Sequence, residues 1–170
     1  ISEWHQQQPQ VSSQGLLKTI EEQHLQNYLL WHEEDIARDP EVSNDEIARV
    51  KRSIDRLNQK RNDLIEQIDE TILVRLNAEG VGLNHNSPMN SETPGGIIDR
   101  CSIMALKIYH MEKQTRRSDV DENHLQQSSE KVKILRNQRE DLFKCLFQLM
   151  DNIRNGTRHY KLYHQFKMYN

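Results

Sequence analysis

Apolar residues recur at intervals of three and four through most of this chain. Ile47, Val50, Ile54, Leu57, Leu64 and Ile68 form one series, and Leu125, Val132, Leu135, Leu142, Leu146, Leu149 and Ile153 form another. That spacing lines one face of a helix and predicts a seam packed along its length. Nowhere do β-branched and polar residues alternate over a strand's length, which argues against sandwiches, barrels and doubly wound sheets. Local punctuation places the ends. A first helix is predicted over 16–38, stopped by Asp39-Pro40, because the residue before a proline is pushed out of the α region. Ser43 with Glu46 is a capping box that opens a second helix over 44–76. Thr93 as N-cap and Pro94 at the first helical position start a third, which reaches about residue 117. A fourth spans about 120–154 and ends at Gly156, and a short last helix is expected over 157–169. Residues 77–92 read as a long loop, and the polar stretch 6–15 leaves residues 1–5 as the stub of an earlier helix.

The two helix pairs resemble each other at an offset of 78 residues. Leu57, Arg61, Asp63 and Leu64 fall on Leu135, Arg139, Asp141 and Leu142. Upstream, Leu30-Trp31-His32 and Glu34 fall on Ile108-Tyr109-His110 and Glu112, with Leu25 over Ile103. Leucines alone would match by chance between two heptad patterns, whereas paired Arg, Asp, His and Glu do so far less readily. The expected fold is therefore all-α: a four-helix bundle of two similar antiparallel hairpins, 16–76 and 93–154, with pseudo-two-fold symmetry and a C-terminal segment over 157–170. Residues 16–170 are expected to form one helical-bundle domain behind an N-terminal stub and loop, 1–15.

Composition narrows the function classes without choosing one. The formal charge is −3, from 23 basic and 26 acidic residues, too balanced for nucleic acid or an anionic membrane to be the main partner. No apolar run approaches the ~20 residues that a bilayer span needs. The two cysteines, Cys101 and Cys145, fall on apolar stripes and read as reduced core thiols. No secretory signal is visible, so a cytoplasmic location is expected, although a chain that opens on Ile1 leaves room for an upstream segment.

Four longer strings carry a family resemblance: Trp31 to Pro40 (WHEEDIARDP), Ile54 to Leu64 (IDRLNQKRNDL), Glu92 to Arg100 (ETPGGIIDR) and Gln165 to Asn170 (QFKMYN). Together they resemble a bacterial, mostly helical family catalogued as a domain of unknown function, over about residues 16–170. The resemblance implies a setting beside glycosyltransferases for lipopolysaccharide or other surface glycans. It implies no activity and no catalytic residues.

Candidate chemistry gathers at three places. Arg61 and Arg139 interrupt apolar seams, where a guanidinium must pair with acids or snorkel outward. Helix register puts Glu21 level with Arg61 and Asp99 level with Arg139, so Glu21–Arg61 and Asp99–Arg139 are expected as equivalent ion pairs, either structural bridges or part of a ligand site. Thr93, Gly95 and Gly96 at a helix N-terminus offer unsatisfied N–H groups to an anion. Arg100 and Arg139 could clamp it, and Asp99 could serve as acid/base. The glycines have a plainer reading as a close helix contact. His32 and His110 read as hydrogen-bonded core histidines; Glu21-x-x-His24 matches half of a di-iron pattern but has no repeat partner, and no metal or cofactor is expected. The segment from Arg154 holds four basic residues and four aromatics with no acids, suited to packing on the bundle or to stacking on bases.

The leading expectation is a non-catalytic helical binding or accessory protein serving surface-glycan synthesis, with a glycosyltransferase or a sugar phosphate as partner. An enzyme acting on an anionic small molecule, and nucleic-acid binding by the C-terminal segment, are the alternatives.

Overall fold

The computed structural model describes residues 1–164. Four helices make the fold: α1 (Gly15–Ala37), α2 (Asn44–Ala78), α3 (Pro94–Gln114) and α4 (Glu122–Arg154). The caps act where the sequence places them. Ser43 Oγ accepts from Glu46 N (3.2 Å) and Thr93 Oγ1 from Gly96 N (3.1 Å). Asp121, not singled out in the sequence, caps α4 by accepting from His124 N at 2.7 Å. Gly156, with φ of 67°, takes the chain out of α4 in a conformation that other residues rarely adopt.

A shift of 78 residues carries α1 onto 93–115 and α2 onto 122–156, within two residues of the observed bounds of α3 and α4. α1 packs on α2 and α3 on α4, and α3 also touches α1 and α2. Repeat-equivalent residues meet between α1 and α3: His24 Nδ1 lies 2.7 Å from Ser102 Oγ, and the His32 and His110 rings are 6.5 Å apart. Two such pairs, two helical turns apart, mean that α1 and α3 run parallel and that the pseudo-two-fold axis passes between them along the bundle.

The symmetry is broken on one side. α2 and α3 are in contact, while α1 and α4, their equivalents, make at most marginal contact. Gly95 lets α3 close on α2, since a Cβ there would lie 2.7 Å from Ile65 O. At the equivalent place in α1 stands Leu17, and Phe147 replaces Asp69; both are 66% exposed. That side of the bundle lacks the glycine that lets α3 close on α2.

An apolar core cluster fills one end of the bundle. Ile68, Ile72 and Leu76 of α2, Ile97 and Cys101 of α3, and Leu142, Leu149 and Ile153 of α4 close around Tyr160, with Leu16 and Ile20 of α1 packed against them. Tyr160 belongs to a segment that corrects the sequence reading. The described part of the expected last helix, 157–164, is not helical; His159 bridges to Met89 in parallel fashion, and the remainder of that expectation lies outside the described residues. Asn90 N donates to His159 O (2.7 Å) and His159 N to Pro88 O (3.3 Å), so the segment's hydrogen bonds go to the α2–α3 loop in place of a helix. Cys101 is buried as expected, whereas Cys145 lies on the exposed side of α4. No helix among the described residues is long and apolar enough to cross a membrane.

Candidate functional site

The buried stripe of α1 is polar. Thr19, Gln23 and Asn27, one turn apart, stand where a packed helix would carry apolar residues. Their partner is on α3. Asp99, buried, accepts from Gln23 Nε2, from Asn27 Nδ2 (2.9 Å), and from Arg61 of α2 through Nε (2.8 Å to Oδ1) and Nη2 (2.5 Å to Oδ2). Asn27 Nδ2 also donates to Ser102 Oγ (2.9 Å), which links the cluster to His24. Three helices thus converge on one carboxylate, and the two-pronged Arg–carboxylate geometry is the strong form of that bond. The Asp99 bond holds the Arg61 guanidinium above its ordinary pKa, so it stays charged.

Arg61 is 24% exposed, and its outer side looks onto a groove of about 360 Å³ between α1, α2 and α3. Asn27, Leu30, Trp31, Glu34 and Arg38 of α1, Asn58 and Arg61 of α2, and Ile103, Leu106 and Lys107 of α3 line it. Three cations and one carboxylate therefore face this space. Arg38 is loosely tied to Glu34 (3.5 Å) and Asp35 (3.3 Å), and Lys107 has no ion-pair partner among the described residues. Trp31 forms part of the wall, with one indole face stacked on His110 (centroids 4.3 Å, 7° between planes).

The residues singled out in the sequence are not gathered as expected. Glu21 does not meet Arg61; it accepts from Ser12 N (3.2 Å) and Ser13 N (3.0 Å) and folds the entering chain over α1. Arg139 does not meet Asp99, and its nearest acid is Glu140 at 3.5 Å. The register is correct in level but not in direction: Glu21 and Asp99 are repeat equivalents at one height, and Arg61 crosses to α3 instead of its own hairpin partner. Arg100 pairs with Glu92 (3.0 Å). The N–H groups at the start of α3 are taken by the chain itself, Gly95 N by Asp69 Oδ1 (2.6 Å) and Gly96 N by Thr93 Oγ1. This helix N-terminus does seat a carboxylate, but an internal one. Burial raises the Asp69 pKa to about 6, against the bonds from Thr93 and Gly95 N–H. Both oxygens of Asp99 are engaged by donors, an arrangement that fixes Arg61 and does not suit proton transfer.

His32 and His110 belong to an aromatic cluster closed by the N-terminal turn. His5 stacks on Tyr109 (5.0 Å, 11°) and meets His32 and His110 edge-on at 5.2 and 5.6 Å. Trp4 packs on Tyr28, whose hydroxyl donates to Trp4 O at 3.0 Å. The Nε2 atoms of His5, His32 and His110 are buried without hydrogen-bond partners, so the expected hydrogen-bonded core histidines are instead held by ring contacts. Among the described residues no group of three or more His, Cys, Asp or Glu is placed to hold a metal ion.

Burial and the neighbouring Lys113, His32 and His110 lower the His5 pKa to about 4, and burial lowers that of His24 to about 4. Asp35 opposes the trend at His110, whose pKa is also lowered. A histidine held neutral by the fold supports it fully above its unfolded pKa of about 6.5 and loses that support as pH falls towards 4. Asp69 works in the opposite sense, favouring the fold below pH 4 and losing that contribution as pH rises to 6. Acidification from pH 7 to 4.5 should therefore release the N-terminal turn before the bundle melts. Hydrogen exchange at Trp4 to Gln7 will show it, and His5→Phe, which keeps the stack without titrating, should hold the turn in place.

An all-α bundle of two similarly spaced helix pairs, with a buried carboxylate fixing an arginine at a cationic groove, is the class that fold and site define. The chain belongs to the family described as Protein of unknown function (DUF4254), matched over residues 17–162. No curated protein and no solved structure matches it.

Proposed function

We propose that this protein is a helical binding protein whose α1–α2–α3 groove takes an anionic small molecule. The observation that carries the reading is the fixing of Arg61. Burying Asp99 is costly unless its bonds are complete, and four donor atoms from α1 and α2 complete them to hold one guanidinium at the wall of a groove. A preorganised cation loses little freedom when a ligand arrives. Arg61 Nη1, whose contact with Asn58 Oδ1 is long (3.4 Å), Lys107 and Arg38 supply donors, and Glu34, Asn27 and Asn58 suit hydroxyl groups. A phosphorylated sugar meets that description, in keeping with the surface-glycan setting that the sequence resemblance implies. An accessory role in such a bacterial, cytoplasmic pathway is the biological setting this reading favours over an enzyme with Asp99 as acid/base.

Calorimetric titration with glucose 1-phosphate and inorganic pyrophosphate tests it. Wild type should bind, and Arg38→Ala/Lys107→Ala should weaken binding about tenfold or more. Thermal stability should barely change, because both side chains are exposed and surface changes usually stay within about 0.5 kcal/mol. No binding, or equal binding by the double variant, would remove the proposal.

A further inference from the structure

The duplication supplies a second view of the groove. Shifting its lining by 78 residues gives an equivalent surface between α3, α4 and α1, in which Tyr109 stands for Trp31 and Tyr28 for Leu106. In that second surface the chain fills the space itself. Trp4 lies against Tyr28 (5.4 Å), and the His5 imidazole lies flat on Tyr109 (5.0 Å, 11°). The fold thus displays, in one half, what this surface accepts: a planar heterocycle stacked on the aromatic residue at position 109.

The two surfaces differ where it matters for charge. Asn27 and Lys107 in the open groove replace Ala105 and Leu29 of the filled one, whose own third cation, Arg136, stands where the open groove has Asn58 and is tied to Glu112 at 2.6 Å. The filled surface spends its extra cation on Glu112, while the open one adds an amide and a lysine that has no ion-pair partner among the described residues to the same aromatic wall. One face of Trp31 is already covered by His110, which fixes the indole plane before a ligand arrives.

We infer that the open groove takes a nucleoside phosphate, its base stacked on Trp31 and its phosphates held by Lys107, Arg38 and Arg61. This rests on the anion-binding reading above and narrows its ligand class. The buried Asp99 behind Arg61 offsets much of that residue's charge, so Lys107 and Arg38 provide the attraction and Arg61 the directed N–H. Glu34 on the same wall is placed to accept from a ribose hydroxyl.

The experiment compares UDP, ADP and inorganic pyrophosphate by calorimetry on wild type and Trp31→Leu. Stacking of a base is worth about 1–3 kcal/mol. UDP and ADP should therefore bind wild type about tenfold or more tightly than pyrophosphate, and Trp31→Leu should erase that advantage while leaving pyrophosphate within about twofold. As a readout independent of that variant's folding, Trp4→Phe leaves Trp31 as the single tryptophan, and its fluorescence should be quenched by UDP and not by pyrophosphate. Equal binding of all three ligands would overturn the nucleoside assignment while the anion groove stands. Binding of none would overturn both, and capture of a peptide of residues 1–8 without any nucleotide would reassign the groove to a protein segment.

Discussion

Asp99→Ala should destabilise the protein by about 3–5 kcal/mol, the range seen when one partner of a buried ion pair is removed. Arg61 would keep its charge with no carboxylate beside it, and the Gln23 and Asn27 amides would lose their acceptor. Arg139→Ala is the matched control at the repeat-equivalent position. Its guanidinium is 34% exposed, its nearest acid is 3.5 Å away, and its Nε has no partner, so the loss should stay below about 1 kcal/mol. Urea unfolding of the two variants gives both numbers in one assay. Equal losses would mean that the Asp99 cluster is not what joins the hairpins.

Gly95→Ala should be nearly as damaging, at about 3 kcal/mol or more. Its Cβ would lie 2.7 Å from the Ile65 carbonyl oxygen and 2.9 Å from the Asp69 carboxylate, and backbone cannot step aside as a side chain can. Forcing α3 off α2 also breaks the 2.6 Å bond from Gly95 N to Asp69, leaving a buried donor and a buried acid without each other. Gly95→Asp would be worse still, since it sets a second carboxylate against the first; the first helical turn favours acids only where there is room. Gly96→Ala makes the contrast. Its nearest neighbours would be Thr93 Oγ1 at 3.4 Å and Glu92 Cγ at 3.5 Å, so it should be tolerated or gain slightly from helix propensity. Thermal melts of the two alanine variants separate close helix contact from any general need for glycine.

Much of this fold is legible in the sequence because its signals are local. Ser43 and Thr93 are caps whose bonds close within three residues, and the pairing of Arg61 with Arg139 and His32 with His110 reveals the duplication without any knowledge of packing. The site is less legible because it depends on which helix a side chain crosses to. Arg61 finds its partner on α3 only because Gly95 lets α3 close on α2, a consequence of missing bulk that no periodicity reports. The sequence does carry one signal of the site: Thr19, Gln23 and Asn27 put amides and a hydroxyl on the stripe that should be apolar, which marks a buried polar cluster. The docking of Trp4 and His5 had no local signature, since the polar stretch that follows them carries no pattern. The C-terminal segment misled for the opposite reason. Its Tyr160, Tyr163 and Phe166 have helical spacing, yet Tyr160 is buried by donating its hydroxyl to Asp69 O, and residues 157–164 reach that place without forming a helix.

If the groove binds as proposed, the N-terminal turn sets the stoichiometry of this chain. A duplicated hairpin would ordinarily present two equivalent pockets and bind two ligands, with whatever cooperativity the shared α1–α3 seam transmits. Here Trp4 and His5 lie on the surface equivalent to the groove, as a tethered segment at high effective concentration. On the binding reading proposed above, the chain should take one ligand with a hyperbolic saturation curve, while its second half serves as the scaffold that keeps the first half's helices in place.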